Sequence, residues 1–424
     1  MKEDLLHYAW RLKKIDYSQL YTEDNAKIEI INPGVHNSNA GPDFLQAKIK
    51  IHDTIWAGHI EMHLNSSDWH KHKHSADPAY DNVILHVVYN HDMDIYRSDG
   101  TRIPTVSLQT LISPDLINRY QELMRNESWV YCSDKIESVS EFIKTSWLNR
   151  LIVDRLEKKT KVIRSDLERF DMDWERVFFI HLAIHLGAKV NNDGFRFLTE
   201  SLPLNYLNKY RGSLIEIEAL LFGQAGLLDR DFKDEYPKKL KTIFTHQKNK
   251  FQTSPINKAV WNFLRLRPPN FPTIRIAQLA TLINQTQHIF SKCMAANNVK
   301  ELINVFEIKV SNYRKKHYVF DKVSQKVLDK KLGQTTIYNL IINCISPFLF
   351  VYGREKGVIK YEEKAIRFLE ELKPEKNSII RKWHSLGYEA YSASDTQALI
   401  QLKNEYCNYE RCLQCHIGNR IISQ

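Results

Sequence analysis

The amino-acid sequence predicts an α+β protein, with a mixed sheet near the N-terminus followed by a mostly helical remainder. One observation is the order of apolar patterns in residues 2–88, which indicates a helix, three strands, a helix and a strand. Another is the change after Pro114, beyond which apolar residues recur at helical spacing and strand-like alternation is scarce. We therefore expect an α/β domain over residues 1–125 and an α-helical domain over residues 126–424.

Composition limits the class of protein. A chain of 424 residues is long enough for two or three domains with well-buried cores. Its 43% hydrophobic and 26% charged residues are typical of a soluble globular protein. No apolar run approaches the roughly 18 residues of a membrane span, and the N-terminal residues MKEDLLHYAW lack the pattern of a signal peptide. Six cysteines in a chain of this size do not predict a secreted disulfide framework, so we expect a cytoplasmic protein without a membrane partner.

The first elements follow from local patterns. Residues 2–14 have helical apolar spacing, with Glu3 as an acid of that helix, and residues 27–31 resemble a short strand. A turn is expected at Asn39-Ala40-Gly41-Pro42, because proline fixes its own φ and disfavours helix at the residue before it. Asp43 then stands at the start of the next strand.

Two consecutive strands, at residues 44–51 and 55–64, show the period of two that alternating faces require. The apolar face of the first carries Leu45, Ala47, Ile49 and Ile51. The polar face of the second carries His59, Glu61 and His63. If the ends of these strands face each other, Asp43 and Glu61 form an oxygen-rich site for a hard divalent cation.

Pro42-Asp43, followed by Glu61 and then His63, resembles the core motif of the PD-(D/E)XK nuclease superfamily. The resemblance implies a restriction-endonuclease-like core in which Asp43 and Glu61 bind Mg²⁺ or Mn²⁺. His63 occupies the position where that superfamily has a lysine that helps to activate water. Lysine is cationic at neutral pH, whereas histidine titrates close to it. His63 is therefore expected to be a general base or a metal ligand, or else the site is inactive.

The remaining elements of the first domain complete the same order. Residues 67–75 resemble a helix and residues 82–88 a strand, of which residues 83–88 are apolar except for His86, as expected of a strand buried on both faces. His86 is interpreted as a hydrogen-bonded core residue. A hairpin is expected over residues 92–104, and Pro114 suits the first turn of a helix.

A histidine cluster lies just beyond the second polar strand, in Trp69-His70-Lys71-His72-Lys73-His74. In a helix, His70 and His74 share a face at a spacing that can bind a transition metal. In an extended segment His72 would line up with them instead. We take His70 and His74 as candidate metal ligands, with surface histidines or phosphate contacts as the alternatives.

The cysteines form a second candidate site. Cys407, Cys412 and Cys415 lie within nine residues, which in a reducing compartment indicates metal binding more than disulfides. Some nucleases of the superfamily named above hold a four-iron cluster with one distant and three C-terminal cysteines. Cys132 with the three terminal cysteines resembles that set in outline, although the spacing and order differ. An iron–sulfur cluster, Zn²⁺ and free thiols remain the alternatives.

The helical part contains patterns that we interpret as structural. His181 and His185 stand four residues apart among apolar residues, and we expect them to be core histidines with polar partners. Cys293 and Cys344 lie in apolar helical runs and are expected in the core. Thr273 is expected to cap a helix over residues 274–285.

A further set of motifs is spread over most of the chain: Gly41-Pro42-Asp43-Phe44, Gly58 with Glu61 and His63, residues 66–69 with His72 and His74, residues 83–88, residues 221–226, Arg267-Pro268 with Asn270-Phe271-Pro272, and the terminal cysteines. With them the chain resembles an uncharacterised bacterial family of unknown function. That family implies no established activity, so the chemistry rests on the residues themselves.

The net charge of +10 permits nucleic acid as a partner, because basic side chains bind phosphates, although solvated helix faces explain any single cluster equally well. We expect a metal-dependent nuclease that acts on DNA or RNA, with Asp43, Glu61 and His63 at its centre. The alternative is a catalytically inactive nuclease-fold protein that binds nucleic acid or protein as a scaffold.

Overall fold

The structure of the chain is a computed structural model that describes residues 2–37 and 39–424. Its strands are β1 (Ile28–Asn32), β2 (Val35–His36), β3 (Phe44–Ile51), β4 (Thr54–Asn65), β5 (Val83–Asn90), β6 (Thr105–Ser107), β7 (His317–Val319) and β8 (Lys322–Val323). Its α-helices are α1 (Glu3–Arg11), α2 (Asp68–Lys71), α3 (Pro114–Arg125), α4 (Glu141–Arg169), α5 (Trp174–Leu186), α6 (Ala188–Glu200), α7 (Leu204–Asn208), α8 (Leu214–Gln224), α9 (Glu235–Phe251), α10 (Pro272–Gln285), α11 (Ile289–Ala295), α12 (Val299–Val305), α13 (Asn312–Lys316), α14 (Gln334–Leu340), α15 (Ser346–Lys356), α16 (Ile359–Glu371), α17 (Ser378–Ser385), α18 (Ala393–Gln401) and α19 (His416–Ser423).

The chain packs as two compact units, and the expected α+β class is confirmed. The first unit comprises the described residues up to Trp147 together with Leu402–Gln424, and it contains the larger sheet. The second unit, Leu148–Gln401, is mostly helical.

The division predicted from the sequence falls after residue 125, whereas packing divides the chain after Trp147. The C-terminal segment belongs to the first unit because it is bonded there. The Tyr8 hydroxyl donates to Asn419 Oδ1 at 3.0 Å, and Lys403 Nζ donates to the Trp129 carbonyl oxygen at 2.7 Å.

The larger sheet is mixed. Its strand order is β1-β3-β4-β5-β6, with β2 paired to β3. The β1–β3 and β3–β4 pairs are antiparallel, whereas β4–β5 and β5–β6 are parallel. Strand β3 has the predicted bounds, and β4 exceeds its predicted range by one residue at each end.

A bulge alters the predicted faces of β3. The register against β4 shifts between Phe44 and Ala47, and Gln46 has a positive φ of 57°. Because a bulge inserts an extra residue on one strand, side chains before it change face. Phe44 is therefore buried with Ala47 and Ile49, and Leu45, which was predicted on the apolar face, is only half-buried.

The helix expected over residues 67–75 is interrupted. Helix α2 ends at Lys71, and Lys73 has a left-handed backbone with φ 62°. A single 3₁₀ turn, His74–Ala76, follows. His70 and His74 therefore do not share a helix face, because a left-handed residue breaks the helical repeat between them.

The hairpin expected over residues 92–104 is reduced to one bridge between Tyr96 and Arg102. Ile95 and Ile103 on either side of that bridge are fully buried, in one cluster with Trp69. Burial of these apolar side chains holds the segment as a folded loop, and the chain then enters β6 parallel to β5.

In the second unit, His181 has the core position expected of it. Its Nε2 lies 2.7 Å from Asp166 Oδ2, and Arg196 donates to both carboxylate oxygens of Asp166. Cys293 and Cys344 are fully buried, as predicted. The expected Thr273 cap is wrong, because α10 begins at Pro272 and the Thr273 hydroxyl donates to the carbonyl oxygen of Tyr318.

One helical run among the described residues, Gln334–Lys356, is long and apolar enough to cross a membrane by composition. In the structure 72% of its most apolar window is buried inside the protein. This burial is what a core helix of a water-soluble protein shows.

We expect Gly58→Ala to destabilise the first unit. A Cβ at this position in β4 would lie 2.4 Å from the carbonyl oxygen of Asn82 and 2.5 Å from Ile84 Cγ2. The same carbonyl accepts the His59 N–H at 2.9 Å, so the strand cannot simply move away. Overpacking of this kind lowers the free energy of unfolding by about 1–3 kcal/mol. Urea unfolding of the variant and the parent measures the difference.

The matched control is Gly333→Ala. Gly333 has an ordinary φ of −72°, and a Cβ there meets nothing within 4 Å. The free energy of unfolding of the Gly333→Ala variant should equal that of the parent protein or be slightly higher. Equal unfolding curves for Gly58→Ala and the parent protein would contradict the close packing of β4 against Asn82.

Candidate functional site

Asp43 and Glu61 are brought together by the pairing of β3 with β4. Phe44 is the register partner of Ile60 in this antiparallel pair. Asp43, which precedes Phe44, therefore faces Glu61, which follows Ile60. The backbone N–H of Asp43 donates to Glu61 Oε2 at 3.1 Å, and the N–H of Met62 donates to Asp43 Oδ2 at 3.0 Å. The two acids therefore lie at adjacent positions in the sheet.

Glu61 also contacts two histidines. Its Oε1 lies 3.1 Å from His74 Nε2 and 3.6 Å from His63 Nε2. Glu61, His63 and His74 are 5%, 1% and 9% exposed. A carboxylate buried to this degree is costly unless polar groups or a cation compensate its charge, so these contacts define the environment of the site.

His63 has polar neighbours at both ring nitrogens. Its Nδ1 lies 2.8 Å from His86 Nε2, and its Nε2 lies 3.1 Å from His72 Nδ1. Glu61 and His86 are register partners in the parallel β4–β5 pair, which places Glu61, His63 and His86 on one face of the sheet. His86 is fully buried, as interpreted from the sequence, and its polar partner is His63.

His63, His72 and His74 form a compact group. One ring nitrogen from each lies within 4.8 Å of the other two. His70, one of the two histidines proposed from the sequence as metal ligands, is exposed on α2 and outside this group, whereas His72 is inside it. The left-handed Lys73 decides this, because it turns His74 back toward β4.

Aromatic side chains fix the orientation of the buried imidazoles. His74 stacks on Tyr80 with ring centroids 3.8 Å apart. Trp69 presents an edge-on contact to both His74 and His86, at 5.3 and 5.4 Å. The Trp69 indole N–H donates to Ser75 Oγ at 3.1 Å, which holds the tryptophan in place.

Helix α1 adds two residues to the site. His7 Nε2 lies 3.1 Å from Asp43 Oδ2. Glu3, one helical turn earlier, is half-buried, and burial raises its pKa while His72 and Asp43 act on it electrostatically. His7 was not predicted as a site residue from the sequence. Its spacing of four residues from Glu3, which puts both on one helix face, is the pattern that could have indicated it.

Burial sets the charge of the imidazoles. Together with the neighbouring histidines, it lowers the pKa of His63 to about 2 and that of His86 to about 3. Burial raises the pKa of Glu61, an effect that the contact with His74 opposes. His63 and His86 are therefore neutral at physiological pH, which is the form of imidazole that binds metals.

A small cavity adjoins the site through His7. Its lining includes the basic residues Arg11, His36 and Arg411 and the acids Asp4 and Glu410, so charged side chains of both signs from distant segments of the first unit meet there. Arg11 and Arg411 are both exposed.

The four cysteines proposed as a cofactor site converge in the first unit: Cys132, Cys407, Cys412 and Cys415. Each of these thiols lies close enough to the other three to affect or be affected in its pKa, and none forms a disulfide. Cys415 is buried and the others are half-buried. Burial raises the pKa of Cys132 and Cys412 to about 12.

The segments that carry these cysteines are tied together by hydrogen bonds. The Tyr131 hydroxyl donates to Glu410 Oε1 at 2.7 Å. Tyr131 precedes Cys132 in the sequence, and Glu410 lies between Cys407 and Cys412. Lys2 also pairs with Glu410, at 2.5 Å. The N-terminal helix, the segment after α3 and the C-terminal segment are thereby joined at the thiols.

Comparison with protein families gives one match, to the family described as "Protein of unknown function (DUF2851)", over residues 3–378. The matched range includes Asp43, Glu61 and the histidine cluster, and it ends before the three C-terminal cysteines. No curated protein and no solved structure matches the chain. Because the match covers most of its length, the chain belongs to this DUF2851 family of proteins of unknown function.

Proposed function

We propose that the first unit is a metal-dependent nuclease that hydrolyses phosphodiester bonds in DNA or RNA. The observation that carries this proposal is that Asp43 and Glu61 are adjacent, at the point where β3 begins to pair with β4. The order α1, β1, β3, β4, α2, β5 also agrees with the PD-(D/E)XK resemblance.

The residues present fit a divalent cation. Carboxylate oxygens such as those of Asp43 and Glu61 suit Mg²⁺ and Mn²⁺. His7 Nε2 is buried and lies 3.1 Å from Asp43 Oδ2. A nitrogen and an oxygen about 3 Å apart match neighbouring ligands of one ion with bonds of about 2.1 Å. The imidazole favours Mn²⁺ over Mg²⁺ at this position.

The chemistry is divided between the ion and the protein. A bound cation polarises a phosphoryl oxygen and lowers the pKa of the attacking water. Asp43 and Glu61 would hold the cation where the pairing of β3 with β4 begins, and the N–H of Met62 fixes Asp43 there. His63 is almost fully buried and contacts His86, which favours the role of a ligand over that of a base in contact with solvent.

The surface around His7 carries two arginines that suit the phosphates flanking the cleaved bond. Arg11 and Arg411 are exposed there, and guanidinium groups bind phosphate through paired hydrogen bonds. The net charge of +10 adds a general attraction for nucleic acid.

We expect Asp43→Asn and Glu61→Gln to abolish cleavage. Each change keeps the shape of the side chain but removes the negative charge that binds the cation, which should lower the rate more than about 100-fold. Cleavage of plasmid, single-stranded DNA and RNA is measured with Mn²⁺ or Mg²⁺.

The control is His70→Ala, which removes an exposed histidine outside the cluster and should leave cleavage unchanged. Undiminished cleavage by both acid variants would identify a contaminating nuclease and reject the proposal. A parent protein that binds nucleic acid without cleaving it would instead support the scaffold alternative.

Arg11→Ala and Arg411→Ala test the phosphate contacts. Each should weaken nucleic-acid binding and lower the slope of log affinity against log salt by about 1, because one phosphate contact is lost. The cleavage rate at saturating substrate should be kept. Arg265→Ala, at an exposed arginine of the second unit, is the control. If the slope of log affinity against log salt concentration equals that of the parent, the arginines at this cavity do not contact the nucleic acid.

We also propose that Cys132, Cys407, Cys412 and Cys415 hold an iron–sulfur cluster, with Zn²⁺ as the alternative. A single Zn²⁺ with four bonds of about 2.3 Å holds its sulfur ligands about 3.8 Å apart. Four thiols from two distant segments, each close enough to affect the pKa of the others, suit a cluster of several iron and sulfide ions.

Anaerobically purified protein should therefore contain iron and sulfide and absorb visible light. Cys132→Ser and Cys412→Ser should lose both the colour and the iron, whereas Cys293→Ala, at a buried cysteine of the second unit, should keep them. Metal analysis and absorption spectra measure this. Zinc in place of iron would support the alternative, and a colourless, metal-free protein would reject both.

A further inference from the structure

The carboxylate of Glu61 separates two different environments. Oε2 faces Asp43 and accepts the backbone N–H of that residue. Oε1 faces away from this contact, toward His74 and His63. The proposed nuclease uses Asp43 on the first side and, on the second side, His63 alone, so His72 and His74 need their own explanation.

The donor atoms on the second side have the spacing of metal ligands. His74 Nε2 is 3.1 Å and His63 Nε2 is 3.6 Å from Glu61 Oε1, and His63 Nε2 is 3.1 Å from His72 Nδ1. Ligands bonded at about 2.1 Å lie about 3.0 Å apart in an octahedral shell and about 3.4 Å apart in a tetrahedral one. One ring nitrogen of each of the three histidines also falls within 4.8 Å of one ring nitrogen of each of the other two.

Two of the imidazoles are prepared for coordination. His74 Nε2 is buried and lies 3.1 Å from Glu61 Oε1. His63 Nδ1 lies 2.8 Å from His86 Nε2, and an N–H donated to this partner leaves the lone pair of His63 Nε2 for a metal.

From this geometry we propose a second metal site, in which His63, His72, His74 and Oε1 of Glu61 bind a divalent transition-metal ion. Three imidazoles and one carboxylate suit Zn²⁺, Fe²⁺ or Mn²⁺ and disfavour Mg²⁺. The inference goes beyond the proposed function, because this ion would bind whether or not the protein cleaves nucleic acid. Glu61 would then bridge the two sites.

The access route is through His72. His63 and His74 are closed off from solvent by Trp69 and Tyr80, whereas His72 is exposed. An ion can therefore reach the site from the side of His72, which also makes this residue the one ligand that can be replaced without opening the core.

The test is Zn²⁺ binding by the full chain after treatment with a chelator, measured by competition with a metal indicator. His72→Ala and His74→Ala should each lose one equivalent of zinc or bind it more than about 10-fold more weakly. Free thiols can also bind zinc, so the readout is the difference between each variant and the parent. Circular dichroism and thermal unfolding show whether each variant is folded, and His72→Ala, at an exposed position, is expected to fold as the parent does.

The matched control is His70→Ala, two residues from His72 on the same short segment, which should bind zinc as the parent does. An excess of Mg²⁺ should not displace the zinc. The inference is overturned if His72→Ala and His74→Ala bind zinc like the parent, or if His70→Ala loses the same equivalent. Zinc binding that depends on His72 and His74 in a protein without nuclease activity would reject the proposed function and support this site.

Discussion

The pair of hydrogen bonds between Asp43 and β4 is the constraint on which the candidate site depends. The N–H of Asp43 reaches Glu61, and the N–H of Met62 reaches Asp43, so each acid is held by the backbone of the other strand. Moving either strand by one residue would turn Glu61 and His63 to the opposite face. The same register that positions the acids therefore selects which histidines can meet them.

A cluster of buried polar groups is costly, and the structure shows how this one is maintained. Low solvent exposure keeps His63 and His86 neutral, so burial adds no positive charge beside the carboxylate of Glu61. Trp69 and Tyr80 surround the imidazoles and restrict their rotation. His7 and His74 each place a ring nitrogen 3.1 Å from a carboxylate oxygen. Bound cations would also compensate the repulsion between the two acids.

The two ends of the chain meet in the first unit, beside this site. Residues 402–424 return to it, with Glu410 bonded to both Lys2 and Tyr131. The cavity lined by Arg11 and Arg411 and the four cysteines both depend on that return. Closing so long a loop is entropically unfavourable, and a metal held by thiols from both segments would stabilise it.

Local patterns in the sequence determined the elements and one essential proximity. The period of two in β3 and β4, with the turn at Pro42, was enough to predict that Asp43 and Glu61 meet, and the helical spacing after Pro114 predicted the class of the remainder. Only the tertiary structure decided which histidines join them. His72 replaces His70 because one left-handed residue, Lys73, ends α2, and His86 and His7 arrive from a parallel strand and a helix that are distant in sequence. Spacing along the chain specifies the face of an element, whereas contacts between elements depend on register and chain reversal, which no local pattern contains.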